Sequence, residues 1–369
     1  MQINSLSLKD FKNYSQENFN FSEHINVICG ENAQGKTNLL ESIFYLSCVK
    51  PIHAKKDRDL IAFNQEKAEI QAITSSFDHS DHIKIEISRN PRKIFINKIR
   101  QPKVTEYIGF IQSVLFIPDD LSMIKEGPAL RRRFLNIAIS QLKPNYIHYL
   151  SQYNRILEQK NKLLKQHQSI DDLLLDIYNE KLATLGAHLI SYRSSFLDKI
   201  NQEAQKNHSE MSKNREELQI LYKTDRYIDK LHTNKISFAE ALYQHMIDRK
   251  HAEKENKSCL IGPHRDDIVF LINNNPAKDF ASQGQIRTAI LATKLAERDV
   301  FFQNTGEYPI LLLDDVLSEL DTLRQNYVLN KINCGQVFIT SCDNLISPSL
   351  SCGKIFTIEH GKLIEDKEF

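Results

Sequence analysis

One run, Gly30-Glu31-Asn32-Ala33-Gln34-Gly35-Lys36-Thr37, constrains this chain more than any other feature. It follows an apolar segment, Ile25 to Cys29, and precedes a helical one, Asn38 to Leu46. Strand, glycine-bounded loop and helix make a P-loop. The two glycines let the backbone curl around a polyphosphate, so that successive N–H groups point inward and the helix N-terminus adds its partial positive charge. Lys36 is then the side chain that reaches the β- and γ-phosphates, and the Thr37 hydroxyl is a ligand for Mg²⁺. Gly30 to Asn38 together form the expected nucleotide cradle, with ATP and Mg²⁺ as cofactors.

A second segment, Ile310-Leu311-Leu312-Leu313-Asp314-Asp315, reads as a buried parallel strand that ends in two carboxylates, the form of a Walker B strand. Ligands of open α/β sheets lie beyond the carboxyl ends of the strands. Asp314 is therefore expected in the Mg²⁺ shell, and Asp315 where a catalytic base or water-positioning group stands. Ahead of it lies Ala281-Ser282-Gln283-Gly284-Gln285, opening an amphipathic helical run from Arg287 through Glu297. Such a turn offers a hydroxyl, a close backbone and a helix dipole to an anion; by itself it is equally a polar helix cap. The chain's own phosphate loop is already present, so Ser282, Gly284 and Gln285 are expected to serve the nucleotide of a partner chain in a head-to-tail pair. Ser318-Glu319-Leu320-Asp321, just after Asp315, has the form of the D-loop that lines such an interface.

At 369 residues with 41% hydrophobic and 26% charged residues, the chain buries a sizeable core in one large domain or two lobes. Lys+Arg 48 against Asp+Glu 47 leaves a formal net charge of +1, so a nucleic-acid surface must be a local patch. The six cysteines include no C-x-x-C pair, which argues against zinc and a disulfide framework and for reduced core thiols in a cytosol. No export signal or bilayer-length apolar run is seen, which points away from the membrane.

Residues 1–120 read as the first half of an α/β lobe, with strand alternation in Met1 to Leu8, Ile83 to Ile87 and Ile94 to Ile96. Residues 121–257 read as an all-helical insertion, with Tyr146, Leu150, Tyr153, Leu157 and Leu164 at helical spacing. An amphipathic helix is expected over Tyr227 to Lys257, its charged end from His251 marking a solvated boundary. Residues 258–369 return to strands at Ile268 to Ile272, Ile310 to Leu313 and Val337 to Thr340.

A P-loop lobe split by a helical insertion, with Ser-x-Gly-Gln ahead of Walker B, resembles the ABC-type ATPase heads of chromosome maintenance. Phe11-Lys12-Asn13-Tyr14, Gly30 to Glu41, Pro118-Asp119-Asp120-Leu121, Arg131-Arg132-Arg133-Phe134-Leu135, Gly262-Pro263-His264-Arg265-Asp266-Asp267 and Leu312 to Asp321 together resemble the RecF family of bacterial recombination and repair proteins. The resemblance implies an α/β, ABC-type P-loop ATPase head with an inserted helical lobe. It further implies a cytoplasmic, ATP-dependent DNA-binding protein of replication, repair and the SOS response. Such a protein dimerises on ATP at gapped, duplex or single-stranded DNA and assists RecA loading with RecO and RecR, its weak DNA-dependent ATPase serving as a switch.

The chain departs from that family pattern in places. Asn136 stands where the family has Asp, Lys160 where it has Arg, and Pro51-Ile52-His53-Ala54 where a Ser-His-Arg-Thr type run is usual, with Lys55, Lys56 or Arg58 as substitutes for the missing arginine. A lysine cannot reproduce a bidentate guanidinium contact. Asp315 stands where transporters carry Glu, and this shorter carboxylate, with Ser341-Cys342-Asp343 lacking a clear switch histidine, fits slow hydrolysis. Gly262 to Asp267 reads either as a tight turn with an Arg–Asp pair or as a loop that positions Arg265 near phosphate. For DNA, Arg131, Arg132, Arg133, Lys160 and Lys162 form the candidate phosphate-binding set, with a solvated helical face as the alternative. The rival reading is the ATPase subunit of an ABC-type membrane transporter, against which the Gly262 to Asp267 run and the long insertion stand. A nuclease is disfavoured because the stretch after Asp315 is too short for a metal-binding domain.

Overall fold

The computed structural model describes residues 1–369 apart from 55, 78, 90, 166–170, 225–236 and 343–351. Its continuous apolar runs become neighbours in a six-stranded sheet, ordered Lys362–Glu368, Gly353–Glu359, Ile25–Cys29, Val337–Ser341, Ile310–Leu313 and Ser113–Phe116. The last five run parallel, and Lys362–Glu368 is an antiparallel edge. Parallel strands covered on both faces must be apolar throughout. Ile25–Cys29, Val337–Ser341, Ile310–Leu313 and Ser113–Phe116 are buried at every position. Register then places the chemistry. Leu313 lies opposite Ile339, and Ile339 opposite Val27, so Gly30 and Asp314 both leave the sheet at its carboxyl edge.

A second, antiparallel sheet has the order Tyr14–Asn20, Gln2–Phe11, Lys67–Ser76, His79–Ser88, Lys93–Ile96, Ile99–Gln101. Its inward residues Leu6, Leu8, Ile70 and Ile85 share one core with Leu39, Ile43 and Leu46 of the P-loop helix, Lys36–Cys48. The expected α/β ATPase head is the fold observed.

Helices Pro128–Leu142 and Pro144–Leu164 lead into a 41-residue helix, Asp172–Ser212. At 1.5 Å per residue the last is about 60 Å long. Asp171 caps its start by accepting from the Leu173 N–H, and Lys213 ends it in the left-handed conformation. Contrary to the expectation from sequence, the insertion is not all helical. Leu218–Lys223 is a strand that pairs with Asp267–Ile272, which in turn pairs with Asn275–Pro276. Leu218 and Ile220 alternate into the core, a six-residue signal that only a partner beyond residue 257 makes into a sheet. Of the segment from Tyr227, residues 225–236 lie outside the described residues. Beyond them are two helices, Phe238–Asp248 and Lys250–Asn256.

The cysteines divide. Cys29, Cys48 and Cys259 are buried, whereas Cys334, Cys342 and Cys352 are exposed and so are not core thiols. Among the described residues, no helix is long and apolar enough to cross a membrane.

Candidate functional site

Gly30 and Gly35 hold the phosphate loop in backbone conformations that L side chains rarely adopt, at φ 154° and 122°. A Cβ on Gly30 would also lie 2.4 Å from the Ile358 carbonyl oxygen, and one on Gly35 2.6 Å from Asn13 Nδ2. The loop is braced from two turns. Asn13 Nδ2 donates to the Gln34 carbonyl at 2.9 Å, and the Tyr14 hydroxyl to the Gly35 carbonyl at 2.9 Å. From the other side the Gly361 N–H donates to the Gln34 carbonyl at 2.8 Å, and the His360 N–H to Gln34 Oε1 at 2.6 Å. Asn38 Nδ2 ties the first helical turn to Asn13 Oδ1 at 2.8 Å. Glu31, Asn32 and Ala33 are exposed at the tip, Ala33 at φ 66°. Asn13 and Tyr14 belong to the Phe11-Lys12-Asn13-Tyr14 run, whose role as a brace shows only in the fold.

Lys36 is 4% exposed. Its Nζ donates to the Gly30 carbonyl at 2.6 Å and the Glu31 carbonyl at 3.0 Å, which keeps the cation at the mouth of the loop. Thr37 Oγ1 donates to Asp314 Oδ1 at 3.1 Å, and Thr340 Oγ1 donates to the same oxygen at 2.7 Å. Burial holds the Asp314 carboxyl above the usual carboxylate range, an effect the hydroxyls of Thr340 and Thr37 only partly offset. Thr340 Oγ1 also accepts from the Asp315 N–H at 2.8 Å, which anchors Asp315 in its left-handed conformation, φ 51°. Thr340 thus arranges both carboxylate residues; the sequence had noted it only as a landmark. Its companion landmark, Asp343, lies outside the described residues.

A hydroxyl beside a buried carboxylate supplies hard oxygen donors and fits Mg²⁺, which takes few protein ligands and completes its shell with phosphate oxygens and water. Among the described residues there is no cluster of three or more His, Cys, Asp or Glu suited to a metal. Thr37 and Asp314 would hold the ion, and it would neutralise phosphate charge.

Ser282 is exposed and caps the helix Gln283–Thr305. Its Oγ accepts from the Gln285 N–H at 3.3 Å, while its own N–H donates to Gln285 Oε1 at 2.8 Å. Gln285 Nε2 donates to Glu216 Oε1 at 2.8 Å. None of these bonds reaches Gly30 to Asn38. Gly284 sits beside the Arg324 guanidinium, whose Nε donates to Thr288 Oγ1 at 2.8 Å and which pairs with Asp321. Turn and D-loop are therefore one surface. The Glu319 side chain lies outside what is described.

The candidate DNA set does not hold as a set. Arg131 is 5% exposed, bonds both Asp267 oxygens at 2.6 and 3.0 Å and donates to the Met123 carbonyl. Lys160 is 0% exposed and pairs with Glu253 at 2.6 Å. Both are structural and cannot meet phosphate at the surface. The heptad spacing Tyr146, Tyr153, Lys160 was the signal missed, since it sets Lys160 on the buried face of its helix. Arg132 is half-buried and donates to the Asp266 carbonyl at 2.9 Å. Arg133 and Lys162 are exposed, Lys162 beside Glu158 at 2.8 Å. Arg133 Nη2 also donates to the Pro51 and Ile52 carbonyls, which brings an arginine to the run that lacks one. Lys55 lies outside the described residues, and Arg58 pairs with Asp59.

Gly262 to Asp267 proves to be a buried junction with one exposed member. Arg193 donates to the Pro263 carbonyl at 2.6 Å and to Asn136 Oδ1 at 3.0 Å, and the Tyr222 hydroxyl donates to Asp266 Oδ2 at 2.6 Å. His264 Nδ1 lies 2.7 Å from the Tyr153 hydroxyl, and burial pushes its imidazole down to about 4. Arg265 is exposed.

Lys160→Ala is expected to cost about 3–5 kcal/mol, because it leaves Glu253 buried without its cation. Lys162→Ala should change stability by under about 1 kcal/mol. Urea melts followed by circular dichroism compare the two; equal midpoints would contradict the buried pair.

The RecF/RecN/SMC N terminal domain matches residues 2–358. The chain is 39% identical to the DNA replication and repair protein RecF of Listeria monocytogenes over 367 residues, covering 98% of this chain and 99% of the relative. It is also 39% identical to that of Lactobacillus johnsonii over 351 residues, 93% of each. A solved structure of the recombination mediator protein RecF with ATP, in the RecFOR pathway, superposes with a TM-score of 0.90 at 33% identity, covering 100% of this chain and 97% of that one. An Smc head bound to the C-winged helix domain of ScpA, at TM-score 0.57 and 14% identity, shares the fold. With 39% identity to RecF proteins over nearly its full length and the family model matched over residues 2–358, the chain belongs to the RecF family.

Proposed function

We propose that this chain is an ATP-gated DNA-binding protein of replication and recombinational repair. In this reading it binds ATP and Mg²⁺ at Gly30 to Asn38 with Asp314, pairs head to tail with a second copy, and holds DNA while paired. One observation carries it. Thr37 and Asp314 form an assembled half-site within the chain, while Ser282 lies exposed and bonds to none of that half-site. A partner's nucleotide gives the Ser282 turn its ligand, and two such contacts close a two-fold dimer. Hydrolysis is then a slow release step, with Asp315 orienting water and Ser282 acting in trans. DNA is held by its backbone, with Arg132, Arg133 and Lys162 as the remaining candidate contacts. The RecF of the ATP-bound structure is named a recombination mediator protein in the RecFOR pathway, which supports RecO and RecR as partners. In this reading the chain assists RecA loading in a bacterial cytoplasm.

Sedimentation with and without ATP, and with and without gapped duplex, tests the reading. The expected result is a monomer without ATP and a dimer with it, further stabilised by the duplex. A monomer under all four conditions would refute the gate.

A further inference from the structure

The exposed turn at Ser282 is tied to the helical insertion rather than to its own half-site. Glu216 follows the end of the 41-residue helix and accepts from Gln285 Nε2 at 2.8 Å, while Gln285 Oε1 accepts from the Ser282 N–H at 2.8 Å. This fixes the amide of Gln285, whose own N–H holds Ser282 Oγ. His208, on the last turns of that helix, is 0% exposed and lies 3.7 Å from Glu216 Oε2. The same helix end grips the D-loop helix, Thr322–Lys331. The Tyr327 hydroxyl donates to Asn207 Oδ1 at 3.0 Å and Glu210 Oε2 at 2.7 Å, and Lys331 pairs with Glu210 at 3.5 Å.

We infer that Glu216 is a positioning residue that couples the helical insertion to the partner-facing Ser282 turn, so that what binds the insertion sets how well the turn meets the second copy. This rests on the head-to-tail reading above and deepens it. A continuous helix of about 60 Å links the far end of the insertion to this surface. Its near end has two attachments, Glu216 to the turn and Asn207 with Glu210 to the D-loop helix, so both parts of the exposed surface move with it. The Glu216 bond is charge-assisted and sits on the side chain that orients Ser282, which makes it the short link in the chain of contacts. A carboxylate repels phosphate, so Glu216 acts through Gln285 rather than on the nucleotide itself.

The test is a double-variant cycle read by sedimentation with ATP, beside binding of a fluorescent ATP analogue. Glu216→Ala should bind the analogue as the parent does, weaken the ATP-dependent dimer at least fivefold and lose the added stabilisation from gapped duplex. Glu216→Gln keeps an acceptor oxygen and should restore the dimer to within about twofold, a rescue that mere damage to the small sheet would not show. Gln285→Ala should weaken the dimer by the same factor, and the double variant no further. Unchanged dimerisation in Glu216→Ala, or additive losses in the double variant, overturns the coupling while leaving the head-to-tail reading intact. If the parent itself stays monomeric with ATP, the reading beneath it fails and the coupling with it.

Discussion

Lys36→Ala is expected to weaken ATP binding at least a hundredfold. The ammonium is held at the mouth of the loop, 4% exposed and fixed by the Gly30 and Glu31 carbonyls. A charge-assisted bond in such a setting is worth about 1.5–3 kcal/mol, and a triphosphate engages Lys36 through more than one oxygen. The loss of about 3 kcal/mol converts to a factor of more than 100. The loop should survive the change, because Asn13, Tyr14, His360 and Gly361 brace it independently of Lys36. The thermal midpoint should therefore move by only a few degrees while affinity collapses. Equilibrium titration with a fluorescent ATP analogue measures it, and an affinity within threefold of the parent would remove the P-loop assignment.

How much of this was legible in the sequence depended on how local each constraint is. The phosphate loop was readable because its chemistry is contiguous: two glycines, a lysine and a threonine at fixed spacing between a strand and a helix need no distant partner to be understood. The Walker B strand was readable because burial on both faces forces an unbroken apolar run, and Ile310–Leu313 has one. What stayed hidden was set by partners far along the chain. Thr340 serves Asp314 and Asp315 only once parallel register brings Val337–Ser341 beside Ile310–Leu313. Arg131 and Lys160 looked like free cations because their carboxylates, Asp267 and Glu253, lie on the far side of the insertion. The strand Leu218–Lys223 was too short to outweigh the helical spacing around it, and its pairing partner sits beyond the insertion. Charge counting along one stretch cannot see such closures, whereas the heptad position of Lys160 was a local signal and was passed over.

Ser282→Arg is expected to abolish the ATP-dependent dimer while leaving ATP binding by the single chain near the parent value. Ser282 is exposed and bonds only within its own helix cap, so the larger side chain meets open solvent in the monomer. In the proposed head-to-tail pair the same position would face the partner's phosphates at close range, where a hydroxyl fits and a guanidinium on a three-carbon stem would displace the backbone. The substitution also removes a capping oxygen, which costs about 1 kcal/mol of helix stability. Ser282→Ala removes the same oxygen without adding bulk, and so separates steric exclusion from loss of the hydroxyl. The alanine variant should dimerise more weakly by about a factor of ten, the loss of one hydrogen bond and a cap, and the arginine variant not at all. Hydrolysis should follow dimerisation in both, as the proposed role of the turn in trans requires. Analytical ultracentrifugation with ATP, beside analogue binding and turnover on the same preparations, distinguishes the outcomes. An arginine variant that still pairs and hydrolyses normally would reduce Ser282 to a helix cap and leave the second nucleotide contact to be found elsewhere on the head.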